Sequence, residues 1–137
     1  MNLRGKLNWI LFWGMIVTAL IFSVGCIAIT TPNPDVDYDD YIVSYIRVSP
    51  SSATMKVNTS KTFTVLAYDA EDNLIPVDPS EVNWVASYEC IACGKVWELK
   101  PNSGSINTSF TPKVTGKFYV WAQYKEKWAK SLVQAEE

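Results

Sequence analysis

The chain has 137 residues and a formal net charge of -2, and its 48% hydrophobic content is raised by an uncharged stretch near the N-terminus. This length suits one ordinary domain and a short appendage, because single domains cluster at roughly 100–150 residues. A slightly negative chain has the wrong sign for binding nucleic acid. Histidine is absent, which removes the commonest general base and zinc ligand. We therefore expect a protein that is not an enzyme, needs no cofactor and binds no nucleic acid.

Residues 1–25 have the layout of a secretory signal peptide. Arg4 and Lys6 precede an uncharged, mostly apolar run from Leu7 to Val24. A run of roughly 18 residues is also just long enough to cross a bilayer as an uncleaved helix. In both cases the positive flank stays in the cytoplasm and the rest of the chain is exported. The sequence therefore predicts an N-terminal hydrophobic helix that is either a signal peptide or a membrane anchor.

Gly25 and Cys26, preceded by Ser23 and Val24, resemble the lipobox of bacterial lipoproteins. In that family a small residue precedes a cysteine that is lipidated and becomes the new N-terminus. The resemblance implies that Cys26 is lipidated and attaches the chain to the cell membrane or outer membrane, with its body outside the cytoplasm. The departure from the family is Ser23, where leucine is usual. The alternative is the uncleaved helical anchor.

Residues 26–41 are expected to form an acidic tether. Pro32 and Pro34 block regular strand pairing, and the aspartates that follow repel one another. These aspartates are Asp35, Asp37, Asp39 and Asp40. The segment is therefore predicted to be an extended spacer between the membrane and a folded body over residues 42–137.

The pattern over residues 42–137 predicts short strands separated by Pro, Gly, Asn and Asp, without apolar residues at helical spacing. The clearest strands are Thr62–Tyr68 and Lys117–Tyr124. Each has an apolar face, formed by Phe63, Val65 and Ala67 in the first and by Phe118, Val120, Ala122 and Tyr124 in the second. The segment from Tyr88 to Pro101 is predicted to be a long loop. About seven such strands indicate an all-β fold, a two-sheet sandwich with one core.

The order of these elements resembles the bacterial immunoglobulin-like (Big) domains of invasin- and intimin-type adhesins and S-layer proteins. The resemblance spans Ile46 to Gln134 and includes Ile46-Arg47-Val48-Ser49-Pro50, Lys61-Thr62-Phe63-Thr64-Val65, Val82-Asn83-Trp84 and Thr115-Gly116-Lys117-Phe118-Tyr119. It implies an immunoglobulin-like β-sandwich over residues 42–137 that acts in adhesion, spacing or protein interaction. Trp84 is expected in its core. Where the family usually has glycine in two turns, Asn58 and Asn73 are expected to adopt positive φ.

Cys90 and Cys93 are candidates for a disulfide bond, because two close thiols outside the cytoplasm tend to oxidise. A thioredoxin-like role would need a helix N-terminus beside a parallel sheet, which the strand pattern does not predict. A zinc site needs four ligands, and this segment has two thiols with Glu89 and Glu98 nearby. We therefore expect a disulfide with a local effect and no bound metal.

Tyr119 and Trp121 alternate with the apolar face of their strand and are expected to point outward. Trp128 and Trp97 are further candidates for exposed aromatic residues. Such side chains stack on sugar rings, contact a partner domain, or simply form cross-strand pairs on a sheet surface. These four residues are the candidate ligand-binding site, and the alternative function is a surface carbohydrate-binding module. The expected partners are the membrane and a cell-surface protein or glycan.

Overall fold

The computed structural model describes residues 34–90 and 94–137. The N-terminal hydrophobic segment, the first part of the tether, Cys26 and Cys93 lie outside the described residues. Within the described ranges the chain forms nine strands and two short 3-10 helices. No helix in these two ranges is long and apolar enough to cross a bilayer.

The strands are β1 (Tyr45–Ser49), β2 (Ser52–Lys56), β3 (Lys61–Tyr68), β4 (Leu74–Ile75), β5 (Asn83–Tyr88), β6 (Trp97–Lys100), β7 (Asn107–Pro112), β8 (Gly116–Tyr124) and β9 (Lys127–Glu136). The 3-10 helices are Tyr38–Asp40 and Pro79–Glu81. Each begins after an aspartate, Asp37 or Asp78, whose carboxylate accepts a hydrogen bond from the backbone amide two residues later. These carboxylates satisfy amides that have no partner within the helix.

The strands form two sheets in the orders β1-β3-β7-β6 and β2-β9-β8-β5, and β4 pairs with the end of β3. Without the short strands β2 and β4, the remaining seven have the arrangement of a constant-type immunoglobulin domain, with four strands in one sheet and three in the other. β1 lies in the first sheet, whereas β2 pairs in parallel with β9 of the second sheet. The chain therefore changes sheets between β1 and β2. The predicted all-β, immunoglobulin-like sandwich is therefore confirmed, with two additional short strands.

The core lies between the two sheets, and the alternation predicted for β3 and β8 is confirmed. The apolar faces of both strands are buried, through Phe63, Val65, Ala67, Phe118, Val120, Ala122 and Tyr124. Trp84 is also buried as expected, and its indole N–H donates a hydrogen bond to the carbonyl oxygen of Ser105 at 2.8 Å. This bond gives the indole N–H a hydrogen-bond partner in place of the water that burial excludes.

Phe118 is the centre of an aromatic cluster in this core. Its ring stacks on Tyr88 with 4.5 Å between centroids and lies edge-on to Phe110 at 5.4 Å and to Trp97 at 6.3 Å. Phe110 and Trp97 belong to the opposite sheet. Aromatic pairs of this kind contribute about 0.5–1.5 kcal/mol beyond the burial of their area. The cluster therefore joins the two sheets.

Two expectations about loops were wrong. The segment from Tyr88 to Pro101 is not a single loop, because Trp97–Lys100 forms β6 and pairs with β7. After β3, Asp72 rather than Asn73 has positive φ, at 65°, whereas Asn58 has φ of 62° as expected. The reason is Asp69, whose carboxylate accepts hydrogen bonds from the backbone and side-chain amides of Asn73 and so fixes that residue outside the left-handed region.

The end of the tether packs against the body instead of remaining extended. The ammonium of Lys125, in the turn between β8 and β9, donates a hydrogen bond to the carbonyl oxygen of Tyr38 at 2.8 Å. It also lies 3.6 Å from the carboxylate of Asp39. The cation offsets part of the repulsion among the aspartates, so the 3-10 helix at Tyr38–Asp40 forms where the sequence predicted an extended spacer.

Gly116→Ala is expected to destabilise the fold. Gly116 has φ of +132°, and a Cβ there would lie 2.8 Å from the ring of Tyr88. Because that ring stacks on Phe118, it has little freedom to move. We expect the free energy of unfolding, measured by urea denaturation of the full-length chain in a neutral detergent, to fall by about 2–3 kcal/mol.

Gly104→Ala is the matched control for this substitution. Gly104 also has positive φ, at +71°, but a Cβ there would have no heavy atom within 4 Å. It should therefore cost only the backbone strain of about 1–2 kcal/mol. A loss in Gly116→Ala no larger than in Gly104→Ala would contradict the packing argument.

Ser131→Ala is expected to stabilise the fold. The Ser131 hydroxyl is fully buried and has no hydrogen-bond partner among the described residues. Its removal should recover a desolvation penalty of about 1 kcal/mol. Thr108→Val is the control, because the buried Thr108 hydroxyl donates to the carbonyl oxygen of Pro101 at 2.7 Å, and its removal should cost about 1 kcal/mol. A loss of stability in Ser131→Ala by the same denaturation would refute the prediction.

Candidate binding face

The candidate binding face is the outer surface of the sheet β2-β9-β8-β5. Successive side chains of a strand alternate between the two faces of its sheet, so the burial of Phe118 and Val120 places their neighbours outside. The face is formed by Val85 and Ser87 of β5, Lys117, Tyr119 and Trp121 of β8, and Trp128, Lys130 and Leu132 of β9. The strand register places Trp121 between Val85 and Lys130.

Tyr119 and Trp121 form an aromatic pair on this face, with centroids 6.3 Å apart and planes at 47°. The indole N–H of Trp121 donates a hydrogen bond to the hydroxyl of Ser87 at 3.2 Å, which restrains the ring. The ammonium of Lys130 lies 4.8 Å from the centroid of Tyr119 and 5.0 Å from that of Trp121. It therefore interacts with both ring faces by cation–π attraction.

Three large apolar side chains on the candidate binding face are exposed to solvent. Trp128 is 53% exposed, Val85 49% and Leu132 38%. In the strand register they surround the Tyr119–Trp121 pair, which makes this surface a candidate contact site. The sequence analysis missed Val85 and Leu132, because a single aliphatic residue in a strand carries no binding signal. Only the register of three strands brings them beside the aromatic pair.

Trp97 does not join the other three candidate aromatic residues. It lies in β6, which belongs to the other sheet, and its ring packs edge-on against Phe118. It is partly buried against the hydrophobic core. Of the four predicted residues, the structure thus brings Tyr119, Trp121 and Trp128 to one surface and leaves Trp97 with the core.

Cys90 is disulfide-bonded. The two other cysteines of the chain, Cys26 and Cys93, lie outside the described residues. The pairing of Cys90 with Cys93 and the lipidation of Cys26 therefore stay predictions. Within residues 34–90 and 94–137, no three histidine, cysteine, aspartate or glutamate side chains form a group that could hold a metal ion.

The charges of the body are segregated along the sandwich. We call one end of the sandwich the acidic pole. The chain enters the sandwich from residue 34 at this end, β1 begins there, and β3 and β8 end there. Ten of the fourteen carboxylates of the chain lie there, namely Asp35, Asp37, Asp39, Asp40, Asp69, Glu71, Asp72, Asp78, Glu81 and Glu126. The cations at the same end are Arg47, Lys125 and Lys127, so the net charge of the acidic pole is minus seven.

The rest of the described body is positively charged. Its carboxylates are Glu89, Glu98, Glu136 and Glu137, and its lysines are Lys56, Lys61, Lys95, Lys100, Lys113, Lys117 and Lys130. Seven cations against four anions leave a net charge of plus three. Two of these lysines, Lys117 and Lys130, belong to the candidate binding face. The candidate binding face and the acidic pole therefore have opposite signs.

Carboxylates of the acidic pole are engaged in building its turns. The Asp69 carboxylate accepts hydrogen bonds from the Glu71 and Asn73 amides and from the Asn73 side chain. The Tyr45 hydroxyl donates to the carboxylate of Asp72 at 2.7 Å. That hydrogen bond, with smaller contributions from desolvation and the negative charge of Asp72, raises the pKa of Tyr45.

The pKa of Asp69 is expected to lie below its ordinary value of about 3.9. The hydrogen bond from the Asn73 side chain lowers this pKa most, and the bond from the Asn73 backbone amide lowers it further, because both stabilise the charged form. The contribution of these hydrogen bonds to the stability of the fold is therefore present above the ordinary pKa of the carboxyl group. It is lost as the pH falls through the lowered pKa. An NMR titration of the Asp69 carboxyl carbon measures the midpoint directly.

Asn73→Ala is the control for this titration, since it removes the largest cause of the shift and keeps the backbone amide. The Asp69 midpoint should rise toward its ordinary value in this variant. A native midpoint at or above the ordinary value, or one that Asn73→Ala leaves unchanged, would contradict the assignment.

The fold is similar to domains of a surface layer protein. The structure of domains 4-9 of the surface layer protein SbsC matches with a TM-score of 0.51 and 14% identity, covering 69% of this chain and 14% of that one. Domains 5-6 of the same S-layer protein match with a TM-score of 0.51 and 14% identity, covering 69% of this chain and 44% of that one. At this identity the likeness establishes the fold alone, an immunoglobulin-like sandwich.

The chain thus spans less than half the length of these two structures. Comparisons with protein-family models and with curated proteins find no match. What the domain does must therefore be argued from its own surface.

Proposed function

We propose that this chain is a non-enzymatic, membrane-anchored cell-surface protein that presents an immunoglobulin-like domain for adhesion, spacing or protein interaction. The observation that carries the proposal is the candidate binding face, where Trp128, Val85 and Leu132 are exposed beside the Tyr119–Trp121 pair. A sheet surface of this composition suits contact with a partner. The likeness of the fold to surface layer domains supports a location outside the cytoplasm.

The N-terminal sequence supports an anchor, through either lipidation of Cys26 or an uncleaved helix over residues 1–25. The described chain enters the sandwich at the acidic pole. An anionic membrane surface would repel this pole. The body would therefore stand away from the membrane, with the candidate binding face along its side accessible to a partner.

A surface carbohydrate-binding module is the second candidate function. It is favoured by the placement of Tyr119, Trp121 and Trp128 on one sheet surface, since aromatic rings offer apolar faces against which sugar rings pack. Both candidates use the same face and the same anchor, so they share the first experiment.

Labelling with a membrane-impermeant amine-reactive biotin ester tests the location of the body. In intact spheroplasts producing the full-length chain, we expect modification of Lys95 and Lys113, which are exposed at the end opposite the acidic pole. A cytoplasmic protein of the same cells serves as control and should be labelled only after lysis. If Lys95 and Lys113 react only after lysis, the proposed location is refuted.

Mass spectrometry of the mature chain tests the form of the anchor. Lipidation predicts a chain that begins at an acylated Cys26. An intact Met1, or an unmodified Cys26 at the N-terminus, would contradict lipidation. An intact Met1 in a membrane-bound chain would instead support the helical anchor.

A further inference from the structure

We infer that the candidate binding face binds a polysaccharide that carries carboxylate groups, with Lys130, held over the Tyr119–Trp121 pair, pairing with a carboxylate while the exposed ring of Trp128 contacts a sugar ring. The inference rests on the proposed function, because it names the ligand class of the face that the proposed function uses. Three features of this face support it: the position of one lysine, the distribution of charge, and the covered start of the β5 edge.

The position of Lys130 favours an anionic ligand over a neutral one. Its ammonium lies within 5.0 Å of the ring centroids of both Tyr119 and Trp121. A neutral sugar stacking on these rings must displace the ammonium and lose two cation–π contacts. A carboxylate instead pairs with the ammonium where it stands, and the aromatic rings orient the lysine toward it. The aromatic pair thus supports the cation, and the exposed ring of Trp128 remains as the surface for the sugar.

The charge distribution orients an anionic polymer on this face. Lys117 lies at the end of β8 beside Glu89, whose backbone amide donates to the Lys117 carbonyl oxygen at 3.4 Å, and Lys56 and Glu136 at one corner lie opposite each other in the register. Lys130 is therefore the lysine of this face that no carboxylate faces in the register. The acidic pole repels the same polymer and so restricts its approach. A chain of net charge -2 therefore presents a positive surface to this class of ligand.

The start of the β5 edge is covered, which favours recognition by side chains over addition of a peptide strand there. The backbone amide of Trp84 donates to the carbonyl oxygen of Asn102 at 2.8 Å, and the amide of Gly104 donates to that of Val82 at 3.0 Å. The segment between Asn102 and Gly104 thus occupies, beside Val82–Trp84, positions that an added strand would need.

Retention on immobilised polygalacturonate tests the inference, using the full-length chain in a neutral detergent. We expect retention at low salt that weakens as sodium chloride rises, because the ion pairs are exposed. Fully methyl-esterified polygalacturonate is the matched ligand control, since it keeps the sugar backbone and removes the charge. The esterified polymer should retain the chain at least about tenfold more weakly.

Lys130→Met is the decisive variant, because methionine keeps an apolar stem over the rings and removes the ammonium. It should weaken retention on polygalacturonate about tenfold. Lys100→Met is the matched control, since Lys100 is an exposed lysine in β6 of the other sheet. It should change retention less than about twofold. Unfolding by urea establishes that both variants are folded.

Two results would overturn the inference. One is no retention on either polygalacturonate or alginate, two polyuronates of different geometry. The other is equal retention on the esterified polymer together with unchanged or stronger binding by Lys130→Met, which would assign the face to neutral sugars. Neither result bears on the labelling of Lys95 and Lys113 in spheroplasts, so failure of the ligand class and failure of the surface location are distinguishable.

Discussion

The contact of Phe118 with both sheets is the interaction on which the rest of the structure depends. Its ring stacks on Tyr88 of its own sheet and meets Phe110 and Trp97 of the other. Because these contacts fix which face of β8 is buried, the next residue in the strand, Tyr119, has only the outer face available. A shift of β8 by one residue would bury the candidate binding face and expose the core.

The candidate binding face is a product of pairing among three strands. β8 supplies Tyr119 and Trp121, β9 supplies Lys130, and β5 supplies the Ser87 hydroxyl that restrains the Trp121 ring. The Ser87–Trp121 bond joins residues 34 apart in sequence, whereas Lys130 reaches the aromatic pair across the β8–β9 hairpin. The face is correspondingly rigid, because each strand that contributes to it is also anchored in the core, and a rigid surface loses less conformational entropy when it binds.

The distribution of charge along the sandwich is a second feature of the structure, and it acts over a longer range than the contacts of the candidate binding face. The carboxylates gather at the end where the chain enters the sandwich, and part of their repulsion is offset by Lys125, which binds Tyr38 and Asp39. Asp69 and Asp72 are held in turn-forming hydrogen bonds. The acidic pole is thereby folded as part of the body, and the two ends of the domain carry opposite net charge.

The sequence alone determined the strand faces and the fold class, because alternation in β3 and β8 and the burial of Trp84 depend on local patterning. It did not reveal β6, since the alternation of Trp97–Lys100 spans only four residues and the strand exists by pairing with β7. It also misplaced the positive φ of the β3–β4 turn, which depends on hydrogen bonds to Asp69.

Tertiary structure decided which aromatic residues share a surface. It separated Trp97 from Tyr119, because β6 pairs into the opposite sheet and its tryptophan completes the cluster around Phe118. It also brought Val85 and Lys130 to the two sides of Trp121. These outcomes depend on contacts between residues distant in the chain, which a pattern of period two does not encode.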